Sequence, residues 1–405
     1  MLTALRIIAA AALCLLIGGC WDKTELNELG IISGTAVDLT SNGKWDVSYQ
    51  LVIPQAISAQ TGGGGGQSAP FNVFSTEADS LRGAISKATQ EMSRKLYFAH
   101  NQVIIISEQA ARKGIGTLMD VYLRNSDSRE TVDVFVVPDN ARLMLEQILP
   151  LDRISGAGLE RLVDIEENNG GSFREMTMHQ VLLKLLGPTR SVAIPGLALT
   201  GANKKLDNIE ILGHTATPSK VRLQRLAVIR EDSFVGWLNT QESMGAMWLS
   251  GYLKRATLSF SNGAGAAKRN SVQIRAASTT VKPERTGDGW TMHVQVQAAG
   301  RLIEYNGTEN LQRPASVPVL EQQIGTLIKT NMEMSWMAVR RLKADFLGFG
   351  ELVRERYPAQ WKKIAPKWNE LEFPAVKLDI KVKFKLKDTG LSNNSFRSVQ
   401  EKSDR

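Results

Sequence analysis

Cysteine is the residue in this chain with the clearest chemistry, and the 405 residues contain two, Cys14 and Cys20. Arg6 precedes an apolar run over 7–17, which ends in Gly18-Gly19-Cys20. A charged start, a short apolar middle and small residues before a break form the layout of a secretory signal. The run is well short of the ~20 residues that a membrane-spanning helix needs. Ile17-Gly18-Gly19-Cys20 also fits a lipobox, with an aliphatic residue, two small ones and the cysteine. Small side chains let the backbone lie flat in a peptidase groove. The Cys20 thiol then supplies the nucleophile that takes up a diacylglyceryl group. On this reading 1–19 is a signal peptide, and Cys20 opens the mature chain as an S-diacylglyceryl, N-acyl lipid anchor. A plain signal peptide with an incidental cysteine is the competing reading. A retained helical anchor fits worse, because Asp22, Lys23 and Glu25 follow at once.

No second constellation of this kind stands in the sequence. The histidines are His100, His179, His214 and His293, and no two of them lie three or four residues apart. No cysteine is left to help, so a metal site has no signature. The five glycines Gly62–Gly66 lack the lysine of a phosphate loop and read as a surface loop. His100-Asn101 is a site-like polar pair, with a packing role as the alternative. Met244, Met247 and Trp248 have the spacing of a helical core face or a ligand patch. Asp345, in Ala344–Gly350, has no carboxylate partner nearby in sequence, which weakens general acid–base work. Gly348 and Gly350 suit a sharp turn after a helix. No enzyme activity and no cofactor are expected.

The bulk numbers agree with an exported globular protein. Hydrophobic residues make up 43% and charged residues 22%. Removing the leader leaves 405 − 19 = 386 residues, enough for two or three cores. The mature chain keeps one thiol, so no internal disulfide can form. The net charge of +8 suits nucleic acid, an anionic membrane surface or a solvated surface. Export argues against nucleic acid. Beside anionic lipid, each well-placed basic residue adds about 1 kcal/mol.

Hydrophobic periodicity predicts an alternation of strands and helices. Strands are expected at 29–38 and 45–53 around an Asn42-Gly43 turn, then at 71–75, 102–107 and 131–137. Between them, Thr76 and Asp79 should open a helix to Met92, and 108–125 should be a single helix. Asp139 should cap a helix over 141–149, followed by helices at 158–166 and 176–186. The stretch 188–195 should break the pattern before a strand at 196–200. A hairpin over 226–238 and a helix capped by Asn239 or Thr240 follow. After a linker at 262–265 come strands at 271–278, 290–298 and 301–305, with a turn at Ala299-Gly300. A long helix over 319–347 and a lysine-alternating strand at 377–387 close the pattern. The outward lysines of that strand either rest on lipid headgroups or guard a solvent face. The fold class is mixed α/β, in three successive α/β domains with mixed sheets. Their expected bounds are 20–140, 141–255 and 256–392, with a flexible tail at 393–405.

Four blocks resemble the Ger(x)C lipoproteins, the C subunits of spore germinant receptors. They are 19–30 (GCWDKTELNELG), with Trp21 and Glu25; 97–101 (YFAHN), with His100; 234–238 (FVGWL); and 344–350 (ADFLGFG), with Asp345, Gly348 and Gly350. Tyr357-Pro358, Trp361-Lys362 and Trp368 follow the last of these. The blocks span nearly the whole mature chain in the family's order. The resemblance implies a non-enzymatic subunit anchored through Cys20 on the outer face of the cytoplasmic (inner spore) membrane. It also implies integral membrane partners, the A and B subunits, and a response to small nutrients. Only Cys20 carries a defined role over; Trp21, Glu25, His100, Asp345, Gly348, Gly350 and Trp361 are candidate structural or interface residues. Two alternatives remain at this point. A transporter's solute-binding lipoprotein should show two similar lobes, and no such duplication is seen. A tethered hydrolase lacks its site constellation.

Overall fold

The computed structural model describes residues 25–54, 56, 69–124, 127–149, 151–201, 215–216, 219–261, 270–287, 289–306, 311 and 316–389, with 3, 4 and 6 ahead of them. The apolar run over 7–17 of the expected signal segment, Cys20, Trp21, the glycine run, the 262–265 linker and the expected tail lie outside the described residues.

The fold is mixed α/β and its strands form two sheets. The first contains β1 (Leu29–Leu39), β2 (Trp45–Val52), β3 (Phe71–Ala78), β4 (Lys95–Tyr97), β5 (Val103–Ser107), β6 (Asp133–Val137), β7 (Ser191–Gly201), β8 (Ser219–Arg230) and β9 (Ser233–Asn239). Their order is β3-β2-β1-β5-β6-β7-β8-β9, with β4 paired to β1. The central strands β1, β5, β6 and β7 run parallel, and antiparallel strands flank them. β5 and β6 are buried along their whole length. Apolar runs of that kind require cover on both faces. The helices Leu81–Glu91, Glu108–Lys113, Gly116–Leu123 and Met178–Leu186 cover one face, where Ile104, Ile106, Val134 and Val136 point. The helices Arg142–Leu145 and Ser155–Asn169 cover the other, against Val103, Ile105, Phe135 and Val137.

The second sheet has the order β10-β11-β12-β13, formed by Ala256–Phe260, Asn270–Thr286, Gly289–Glu304 and Lys377–Asp388. β13 runs parallel to β12, so the chain crosses over between them. The long helix Ser316–Leu342 is part of that crossover and buries Leu320, Ile324, Ile328, Met332 and Trp336 on the sheet side. Ile380 and Phe384 of β13 point into this core, and Lys381, Lys383, Lys385 and Lys387 are exposed, as the alternation predicts.

The helix Thr240–Leu249 carries the first sheet onto the second. Asn239 caps it and forms a reciprocal capping box with Glu242. It crosses the long helix at Gly245, where a Cβ would stand 2.3 Å from the Asn331 carbonyl oxygen. Ser335 Oγ donates to the Glu242 carbonyl at 2.6 Å in the same crossing.

Several expected boundaries move, each for a tertiary reason. Thr76 stays in β3 and donates to the Ala84 carbonyl at 2.8 Å, while Ser80 caps the helix by accepting from Gly83 N–H. The expected 108–125 helix breaks at Gly114, whose φ is +123°, and Ile115 N–H donates to the Asp232 carbonyl at 2.7 Å. Asp139 does not cap the helix that follows β6. Asp38, reaching over from β1, accepts from the N–H groups of Ala141 and Arg142 at 2.9 and 3.0 Å. Pro195 lies within β7, tolerated because the β6–β7 ladder is a single pair, Val136–Gly196. Ala299-Gly300 is not a turn: β12 runs through it, and Gly300 lets the Gln273 carbonyl approach. The long helix stops at Leu342, where Lys343 takes φ +50°.

The expected division after residue 140 falls inside the first sheet, between β6 and β7; that after 255 falls between the sheets.

Burial raises the Asp38 carboxyl pKa, and the two N–H donors counter that rise. Removing the carboxylate leaves the buried Ala141 N–H and the half-buried Arg142 N–H without this acceptor. Asp38→Ala is expected to lower stability by about 2 kcal/mol in urea unfolding; an unchanged midpoint would refute the capping role.

Candidate functional site

Asp345 is the most site-like carboxylate of the sequence, and it is fully buried. The left-handed residue Lys343 ends the long helix and turns the chain inward. Gly348, at φ +86°, then launches the helix Phe349–Arg356. Inside this loop Asp345 Oδ1 accepts from Gly348 and Phe349 N–H at 3.0 and 3.1 Å. Its Oδ2 accepts from Gly350 N–H at 2.6 Å and from the Trp368 indole N–H at 2.8 Å. Burial pushes its pKa up to about 6 against these four donors. The four N–H donors favour the charged form, against the burial that opposes it. Both oxygens are saturated by protein donors, so the carboxylate anchors a turn and has no free position facing a substrate.

The residues around Asp345 close the same knot. A Cβ on Gly350 would stand 2.7 Å from the Trp368 indole nitrogen, 2.8 Å from Thr189 Cγ2 and 2.9 Å from the Trp361 ring. Trp361 and Trp368 stack with ring centroids 5.3 Å apart. Asn369 joins the knot to the first sheet: its Oδ1 accepts from Asp345 N–H at 3.1 Å, and its Nδ2 donates to the Thr189 carbonyl at 2.7 Å. Lys184–Glu351 and Arg230–Glu370 add ion pairs across the same seam, at 3.1 and 2.7 Å. Asp345, Gly348, Gly350 and Trp361 are thus brought together.

The other candidates lie elsewhere. His100 is exposed at the end of a short turn, edge-on to Tyr97 at 5.6 Å. Asn101 beside it is buried and donates to the Tyr122 hydroxyl at 2.8 Å, which is a packing role. Met247 and Trp248 are core residues, and Met244 is half-buried against that core. Trp237 fastens its hairpin to the first sheet's helical cover by donating to Glu108 Oε2 at 2.6 Å. Glu25 is exposed, and its N–H donates to Glu28 Oε2 at 3.2 Å in the turn that leads into β1.

Two features are invisible in the sequence. His293 of β12 lies between Glu284 of β11 and Asp379 of β13, with contacts of 2.6 and 2.9 Å. Strand register alone brings them together. Hydrogen bonds to Asp379 and then Glu284 raise the His293 pKa. Asp133 is the second: it is buried at the start of β6, and its pKa is pushed up to about 8 by desolvation and then by Glu175 and Glu160. Among the described residues, no three His, Cys, Asp or Glu side chains form a metal-holding group.

The fold and this saturated knot define a scaffold of two α/β units joined at a packed seam. Residues 22–199 match the family described as "Spore germination protein N-terminal domain", and 224–390 match "Spore germination B3/ GerAC like, C-terminal". The chain is 27% identical over 384 residues to spore germination protein KC of Bacillus subtilis (strain 168), covering 94% of each. It is 23% identical over 396 residues to spore germination protein A3 of the same organism, covering 95% of this chain and 98% of the relative. The crystal structure of the GerBC protein shares its fold, with a TM-score of 0.55 at 16% identity over 87% of this chain and 97% of that one. The chain belongs to the Ger(x)C family of spore germination proteins.

Asp345→Ala strands four buried N–H donors and should cost about 4 kcal/mol, read by denaturant unfolding; a loss below ~1 kcal/mol would show that the knot relaxes without its anchor. A second expectation concerns His293. Its folded-state pKa is raised, so its stabilising contribution is complete below the ordinary histidine value and fades as pH rises through the folded pKa. An NMR titration should place the imidazole above 6.5, and Asp379→Asn should lower it. A titration unmoved by Asp379→Asn would exclude this pairing.

Proposed function

We propose that this chain is the lipid-anchored, non-enzymatic C subunit of a spore germinant receptor, needed for the response to small nutrients. The observation that carries this reading is the lipobox cysteine, Cys20, two residues ahead of the start of the matched germination segment at residue 22. In this reading the leader ahead of Cys20 directs export, Cys20 provides the tether, and the rest of the chain is the germination scaffold. The saturation of Asp345 by four protein donors supports a structural role for the most site-like carboxylate. Among the described residues no helix is long and apolar enough to cross a membrane. A lipid on Cys20 supplies membrane attachment without one. The partners in this reading are the integral membrane A and B subunits, and the location is the outer face of the inner spore membrane.

Cys20→Ala should move the protein out of the membrane fraction and slow nutrient-triggered germination at least tenfold. A protein that stays membrane-bound, or a normal nutrient response with the protein soluble, would refute the proposal.

A further inference from the structure

The start of β1 has an open side. β1 pairs with β2 from the Ile32–Leu51 pair onward and with β5 over Gly34–Val37, so Gly34 to Val37 are paired on both sides. Leu29, Gly30 and Ile31 pair only with β4; on the side facing β2 they have no strand partner among the described residues. β2 instead continues to Val52, which pairs outward with Phe71. A groove of about 390 Å³ opens at this divergence. Leu29, Ile31, Val52 and Pro54 supply its apolar lining, while Glu25, Asn27 and Arg94 form a polar rim. Leu29, Ile31 and Val52 are half-buried, whereas β1 from Ile32 to Asp38 is wholly buried. Unpaired backbone beside apolar side chains is the template that accepts an added extended segment.

Chain length limits what can reach this groove. Glu25 lies on its rim, five residues beyond Cys20. Five extended residues span at most ~17 Å. With Cys20 lipidated, the groove is therefore held within a few nanometres of the headgroups. A slot whose floor is an unpaired strand edge matches an extended polypeptide, which can supply the missing backbone partners. We propose that this groove takes an extended extramembrane segment of an integral membrane polypeptide, which adds as a strand to Leu29–Ile31 and buries an apolar side chain between Ile31 and Val52. This rests on the proposed anchor at Cys20. It adds a defined docking edge and the chemistry of what docks there.

The test places p-benzoylphenylalanine at the exposed rim residue Asn27 of the full chain in native membranes. Illumination should give an adduct with an integral membrane protein that survives an alkaline carbonate wash. Ile31→Glu, or Val52→Glu if the first variant shifts the unfolding midpoint, should reduce that adduct at least tenfold with membrane retention unchanged. An adduct confined to lipid, an intramolecular product with 21–24 or 57–68, or no adduct in a membrane-retained protein would overturn the groove alone. A protein found soluble would overturn the anchor reading, and the groove with it.

Discussion

One buried charge holds the two halves of this molecule in register. Asp345 lies where the long helix ends and the chain must reverse toward β13. Its carboxylate gathers three backbone N–H groups and an indole N–H, a local network that compensates desolvation at the seam between the sheets. The same loop reaches the first sheet through Asn369 and Thr189. Gly350 has no room for a methyl group because Trp361, Trp368 and Thr189 already fill the space. An aspartate in this setting serves geometry. Its burial and raised pKa resemble a catalytic group until its hydrogen bonds are counted.

The seam matters because stability must come from packing. The chain's two cysteines, Cys14 and Cys20, both precede the first strand, so no disulfide can fix one sheet on the other. Core continuity does so instead. Helix Thr240–Leu249 leaves β9 and packs directly on the long helix, with Gly245 against Asn331. A buried amide does comparable work inside the first sheet: Gln50 Nε2 donates to the Leu145 carbonyl at 2.6 Å, while Oε1 accepts from Ser33 Oγ at 2.7 Å.

Much of the fold was legible in the sequence because hydrophobic period carries it. The alternation in 377–387 gave a strand with the observed faces, and the apolar runs at 102–107 and 131–137 gave the central strands, observed at Val103–Ser107 and Asp133–Val137. The helix start at Asn239 or Thr240 was legible because capping is local; the structure selects Asn239, in a capping box with Glu242. What was not legible depends on residues far apart in the chain. Asp38 caps a helix about a hundred residues later, and no local rule assigns that role over Asp139. Gly114 ends a helix because Asp232 docks there. Gly300 reads as a turn but serves a close strand approach. The Asp345 knot was half legible: its glycines and tryptophans stood out, but Thr189 and Asn369 did not. The surroundings of His293 have no local signal, because register alone sets Glu284 and Asp379 beside it.

The central claim is that one residue converts an exported scaffold into a membrane-tethered subunit. Mass spectrometry of the N-terminal peptide of the membrane-extracted protein tests this most directly. The account predicts that Cys20 is the first residue, with a diacylglyceryl thioether on sulfur and an acyl group on nitrogen. An N-terminus at any other residue, or a Cys20 with a free thiol, would contradict it.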